Sequence, residues 1–490
     1  MAPGQPADAW GVHAAGSMVA TGHPLAARAA QALLAAGGSA VDAAIAADAV
    51  LGVVEPMATG IGGDLLAMVV PPDGPPLSYN GTGRAPAGLR TALVEALPDG
   101  RMPERHPYTV TVPGAVRGWF DLHQRFGRLP WASLFAPAIA AARDGFEVAP
   151  VCAREWALFA QVLLRDAAGS ALYRATRPPE AGERFANPEL GAVLQSIASE
   201  GPSAFYLGAP ARAASARVQA MGGVLAEADF ATHVGHFCTP ASTRFRDLTV
   251  LECPPNTHGV AVLRALDTLE PLALDPADPR TTLQAVQAMG EAMQWAQKTV
   301  ADPAGNTVCT VVVDREGLAV TLMTSVFKRF GSGIAAPGCG FVLQNRGFGF
   351  SRPGHINGPA PGKRPYHTVV PGAALRDGRF FAGFGVVGGA MQPQGQLQIL
   401  LRVAAFGQPL QAALDAPRWR LESGTALALE TGFDEATRAL LRASGYQDPA
   451  GLGELGGRSD FGGAQWVMRG PDGGLIGASD KRKDGLALGA

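Results

Sequence analysis

A run of β-branched residues, Thr307-Val308-Cys309-Thr310-Val311-Val312-Val313-Asp314, starts abruptly after Ala301-Asp302-Pro303-Ala304-Gly305-Asn306. Pro, Gly and Asn interrupt regular structure, whereas β-branched side chains suit a pleated, buried surface, so the sequence predicts a loop that becomes a strand at Thr307. A strand that opens on a hydroxyl is ordinary in itself. Its chemistry changes if the bond between Asn306 and Thr307 is cut. The new α-amine, with an ordinary pKa of about 7.7 to 8.0, would sit on the same residue as the hydroxyl and suit the role of base near neutral pH.

Around this strand the texture changes. Helical signals dominate residues 23 to 300. The Ala- and Leu-rich stretch Pro24 to Ala36 ends at Gly37-Gly38, and Ser39 with Asp42 three residues on reads as a capping box that opens a second helix packed on the first. Short strands are expected at Leu65 to Val70 and Leu248 to Leu251. Beyond Thr307, strands are expected at Thr307 to Val313, Leu318 to Met323 and Phe380 to Val387, and helices at Gln394 to Phe406 and Glu435 to Ser444. No internal repeat or low-complexity linker divides the chain.

A hydrophobic fraction of 47% supplies ample core, and a net charge of −2 leaves no electrostatic footprint for nucleic acid. No uninterrupted apolar segment reaches membrane-spanning length, and Met1 to Met18 lacks the pattern of an export signal, so the expected location is cytoplasmic. The five cysteines are odd in number and unpaired in spacing, as expected of small core residues. His233-Val234-Gly235-His236-Phe237-Cys238 has no second cluster to complete a ligand set, and no metal is expected.

Motifs along nearly the whole chain carry a resemblance. They are Gly22-His23-Pro24-Leu25-Ala26, Gly37-Gly38-Ser39-Ala40-Val41-Asp42-Ala43-Ala44, Glu55-Pro56, Gly60-Ile61-Gly62-Gly63-Asp64 and Val112-Pro113-Gly114-Ala115-Val116-Arg117-Gly118-Trp119. Pro254-Pro255-Asn256-Thr257-His258-Gly259, Phe330-Gly331-Ser332-Gly333, Gly388-Gly389 and Asp415-Ala416-Pro417-Arg418-Trp419 follow in order. The chain resembles the gamma-glutamyltransferase family of N-terminal-nucleophile hydrolases. The resemblance implies an α/β fold, one αββα sandwich built from two self-cleaved segments, residues 1–306 and 307–490.

It also implies roles. Thr307 would attack the Asn306 carbonyl in maturation and then the substrate amide. Gly388 and Gly389 match the family's oxyanion hole, and Ser325, 18 residues after Thr307, matches a hydroxyl that contacts the nucleophile's amine. The substrate pocket departs from glutamyl-binding members. The carboxylate that holds an α-amino group falls on Gly349, the arginine position falls on Thr82 with Arg84 nearby, and an asparagine is replaced by Phe327. In place of paired serines stands His367-Thr368, in a stretch that looks like the oxamate amidohydrolase branch, so Arg346 and His367 become candidate carboxylate donors with Arg84 in reserve. The segment Pro271 to Asn306 is shorter than its family counterpart.

The function so implied is amide hydrolysis of a small carboxylate-bearing substrate of the oxamate type, through a threonine acyl-enzyme, with no cofactor. The partners are the small-molecule amide and the two segments tightly held to each other, with neither nucleic acid nor membrane. Homo-oligomerisation stays open. Rivals are a glutathione or γ-glutamyl hydrolase or transpeptidase, a cephalosporin-type acylase, and an unprocessed non-catalytic scaffold.

Overall fold

A computed structural model describes residues 11–300, 306–449 and 459–490, so the expected loop at 301–305 lies outside the described residues. Two seven-stranded antiparallel sheets face each other. The first runs Leu486–Gly489, Met18–Thr21, Asn306–Val313, Ala319–Phe327, Asp64–Val70, Leu77–Gly81, His236–Cys238 from edge to edge. The second runs Val12–Ala14, Leu475–Ser479, Gly463–Arg469, Arg379–Val387, Gly372–Arg376, Leu248–Glu252, Ala241–Phe245. Met18, Met68, Cys309, Val311, Met323 and Val467 fill the space between them.

Helices cover both outer faces. The helix Ala40–Val54 is buried along its whole length and lies on the first sheet, while Gly259–Leu269 and Met391–Leu400 pack on the second. Sheets covered on both faces call for strands apolar on both faces, which is why Asp64–Val70 and Ala319–Phe327 are buried at every position rather than alternating. The result is the αββα sandwich that the resemblance implies. Both sheets interleave strands from before and after residue 306, so the two expected segments share one core.

Local rules held where they were strong. Helix Pro24–Ala35 ends before Gly37, which takes a positive φ of 87°, and the Ser39 and Asp42 side chains cap each other's backbone at the start of Ala40–Val54. The expected strand at 318–323 continues to Phe327. The helix expected at 394–406 opens earlier, at Met391, and its last turn, Leu401–Ala405, is a π-helix. Cys152, Cys253, Cys309 and Cys339 are buried and free, with Cys238 half-buried. Among the described residues no helix is long and apolar enough to cross a membrane.

Candidate active site

The first sheet lines up the candidate residues. Val308 pairs with Thr324, Thr324 with Leu65, and Leu65 with Gly81, while Asn306 pairs with Phe327 across a register shift. One residue along, Ser325 pairs with Asp64. Thr307 therefore sits opposite the Ser325 end of the neighbouring strand, with Asp64 one strand further and Thr82 just past the next. The turn Gly60 to Asp64 is glycine-rich because it must press on this row. A Cβ on Gly63 would come within 2.3 Å of the Ser325 carbonyl oxygen, and one on Gly62 within 2.0 Å of that of Val342.

The paired glycines follow a strand of the second sheet, Arg379–Val387, that packs on the strand of Thr307. A Cβ on Gly383 would meet Val311 Cγ1 at 2.9 Å, and one on Gly385 would meet Cys309 Sγ at 2.5 Å. Each step of two residues along one strand is a step of two back along the other. The strand that carries Gly383 and Gly385 ends at Val387, and Gly388 and Gly389 follow at once. Their φ values of 121° and 63° suit glycine, and they lead directly into helix Met391–Leu400. Neither backbone N–H donates to an acceptor among the described residues.

Sequence reasoning quoted Asp64 in a motif and gave it no role, yet it is the hub of the site. Its Oδ1 accepts from the Gly83 N–H at 2.6 Å and Gln344 Nε2 at 2.8 Å, and its Oδ2 from Arg346 Nε at 3.3 Å and His367 Nε2 at 3.1 Å. Burial alone would raise this carboxyl, but His367, Arg346 and Gln344 hold it below the usual range. His367 Nδ1 accepts from the Val369 N–H at 3.2 Å, so its proton is on Nε2. Burial, and then the Arg346 charge, lower its pKa to about 4, and the imidazole is neutral at pH 7. Both of its nitrogens are thus engaged, and the structure leaves His367 no donor for a ligand.

Arg346 is different. Burial lowers its pKa to about 10, so it stays charged, with its guanidinium 4.1 Å from the Phe327 ring. Nη1 donates to Thr368 Oγ1 at 3.3 Å, and Nη2 has no partner among the described residues. Phe327 holds an unusual φ of 77°, and its N–H donates to Ser325 Oγ at 2.9 Å, which tightens the turn that carries the ring under Arg346. At Gly349 a Cβ would lie 2.7 Å from the Tyr366 carbonyl oxygen, so a carboxylate side chain has no room there. Arg84 lies apart from this group and donates to the Gly362 carbonyl at 3.0 Å. His233 stacks on Tyr206, centroids 5.7 Å apart, while His236 and Cys238 lie on the edge strand.

Beneath the row, Asp48 accepts from Trp119 Nε1 at 2.7 Å and Thr324 Oγ1 at 2.5 Å, and burial raises its pKa to about 7. A carboxyl with a raised folded pKa favours the folded state when protonated, so its contribution is lost as pH climbs from its unfolded value, about 4, towards 7. Asn keeps the size and one of the two acceptor oxygens and does not titrate. Relative to Asp48→Asn, the wild-type protein should therefore lose roughly 2 to 3 kcal/mol of stability between pH 5 and pH 8. Urea unfolding at the two pH values measures this; a constant difference would refute the assignment.

Comparison with known proteins fits this geometry. The family model for gamma-glutamyltranspeptidase matches residues 26–304 and 297–490. The chain is 33% identical to the oxamate amidohydrolase proenzyme of Klebsiella pneumoniae, over 96% of this chain and 98% of that one. It is 31% identical to a glutathione hydrolase-like proenzyme of Bacillus subtilis, with 96% and 98% covered. The solved cephalosporin acylase from Bacillus halodurans superposes with a TM-score of 0.91 at 32% identity, covering 100% of this chain and 98% of its own.

Proposed function

The chain belongs to the gamma-glutamyltranspeptidase family, an enzyme family of amide hydrolases and transpeptidases, and we propose that it is a self-processing amidohydrolase for a small carboxylate-bearing amide, with oxamate the leading substrate. The observation that supports this reading is that Thr307 opens a strand paired with the strand of Ser325, while Gly388-Gly389 follow a strand of the facing sheet that packs on it. Its relatives are proenzymes by name, which supports a cut between Asn306 and Thr307.

In maturation the Thr307 hydroxyl attacks the Asn306 carbonyl. The C–N bond breaks as the C–O ester forms, the nitrogen takes the proton, and water then hydrolyses the ester. The products are segment 1–306, with a carboxylate, and segment 307–490, with a free amine. In turnover that amine takes the hydroxyl proton as the oxygen attacks the substrate amide. The Gly388 and Gly389 N–H groups, at the positive end of helix Met391–Leu400, stabilise the oxyanion. Collapse expels ammonia with the proton, and water attacks the acyl-enzyme by the reverse sequence. Ser325 positions the amine.

Arg346 Nη2 is the donor left for the substrate carboxylate. Asp64 offsets the Arg346 charge at a distance, so what remains is a short-range directional contact with Thr368 beside it. His367 acts through Asp64 as a positioning residue. An α-ammonium on the substrate would find no carboxylate at Gly349. Oxamate should therefore be turned over with a higher kcat/KM than γ-glutamyl-p-nitroanilide, and Arg346→Gln should lower the oxamate value about tenfold or more, the worth of one charge-assisted hydrogen bond. Ammonia and nitroaniline release measured side by side decide it. Preference for the γ-glutamyl compound would move the assignment to a glutathione hydrolase.

A further inference from the structure

In the helical layer over the second sheet, three arginines share two carboxylates. Asp480 accepts from Arg418 Nη2 at 2.5 Å and from Arg482 Nη1 at 3.0 Å, and Glu430 accepts from Arg482 Nε at 2.9 Å. Arg402 is the third cation. Its Nη2 donates to the Pro417 carbonyl at 2.7 Å, beside the Ala416 carbonyl that Arg482 Nη2 holds at 3.0 Å. Among the described residues it has no carboxylate partner. Burial first, and then the charges of Arg418 and Arg482, lower its pKa to about 10, while Glu430 offsets them in part. Arg402 is therefore still charged at pH 7, and the cluster carries one positive charge too many. A half-buried guanidinium in that position gains from an anion, and its planar fork matches a carboxylate.

Arg402 lines a cavity of about 130 Å³. The π-helical turn Leu401–Ala405 brings it there together with Phe406, whose N–H donates to the Leu401 carbonyl at 3.0 Å, and such turns recur at functional sites. Thr281, Thr282 and Ala285 enter the wall from the start of the 21-residue helix Pro279–Thr299, so the positive end of that helix adds to the Arg402 charge. Trp419 and Phe433 supply the flat apolar surface. The Trp419 backbone is tied to Gln398 on both sides, while its ring Nε1 donates to no acceptor among the described residues. Size narrows the occupant further. A cavity of roughly 150 Å³ holds benzene, so this one takes a single ring or its equivalent and has no room for a nucleotide or a peptide.

We propose that this cavity is a binding site for a small aromatic carboxylate, with the carboxylate on Arg402 and the first turn of Pro279–Thr299 and the ring among Phe406, Trp419 and Phe433. None of the lining residues belongs to the amide chemistry, so the site stands or falls separately from it. Helix Met391–Leu400 joins the two places. It follows Gly388-Gly389 at one end and runs into the Arg402 turn at the other, so a ligand here braces the far end of that helix and should raise the melting temperature.

Calorimetric titration of the purified protein with benzoate, and with benzamide as its uncharged counterpart, tests the site. Wild type should bind benzoate at least tenfold more tightly than benzamide. Benzoate affinity should fall tenfold or more in Arg402→Gln, and likewise in Ala285→Leu, which fills the cavity and leaves the Arg402 hydrogen bond to Pro417 in place. Arg346→Gln should bind benzoate as the wild type does, which separates this cavity from the Arg346 contact. Wild-type affinity in Arg402→Gln overturns the proposal. So does a loss in Arg346→Gln alone, or the absence of detectable benzoate binding to the wild type. Should Arg402→Gln unfold, Ala285→Leu decides alone, and wild-type affinity there overturns the proposal.

Discussion

Thr307→Ala yields one uncut 490-residue chain without amidase activity, whereas the wild-type protein yields two segments, the second of which begins Thr-Val-Cys-Thr-Val. The expected loss is total because one oxygen serves twice. Alanine cannot attack Asn306, so no free amine appears, and without amine or hydroxyl there is neither base nor nucleophile for the substrate. Fold and processing can be separated. Val308 to Val313 pair with Ala319–Phe327, and Thr310 to Val313 also with Met18–Thr21, contacts that the substitution does not touch, so the variant should remain folded. Thr307→Ser keeps the hydroxyl and should retain cleavage. A denaturing gel with N-terminal sequencing reads the outcome. Normal cleavage and turnover in Thr307→Ala would sink the mechanism, and an uncut wild-type protein would favour the scaffold reading.

What was legible in the sequence was whatever neighbouring residues decide together. The start of the strand at Asn306–Val313, the Ser39–Asp42 cap and the buried run at Asp64–Val70 each follow from local side-chain chemistry. The placement of Ser325 beside Thr307 was legible too, because one strand, one turn and one returning strand fix it. Asp64 was not. Its partners Gly83, Gln344, Arg346 and His367 come from three places along the chain, and nothing local to any of them announces a shared carboxylate. The same blindness misjudged His367. As a residue type it is a plausible donor to a substrate, but Asp64 and the Val369 N–H occupy its two nitrogens.

Gly389→Val should lower kcat about 10²- to 10³-fold while KM changes far less, the signature of lost transition-state stabilisation. The effect comes from backbone geometry. Gly389 has a φ of 63° and Gly388 a φ of 121°, and a β-branched residue is strongly disfavoured there, so valine would turn the peptide and rotate its N–H away from the developing oxyanion. In the proposed site ground-state binding rests on Arg346 and Thr368, on two further loops tied to Asp64 through Arg346 and His367, so it should survive. Crowding makes Gly388 the harsher test. A Cβ there would stand 3.1 Å from Gly462 Cα and 3.2 Å from Met391 Cβ, so Gly388→Ala should cost stability as well as rate. The experiment is steady-state kinetics on processed Gly389→Val whose circular dichroism matches the wild type. A kcat within threefold of wild type would place the oxyanion hole elsewhere, whereas a rise in KM at constant kcat would make the glycine pair part of the binding pocket.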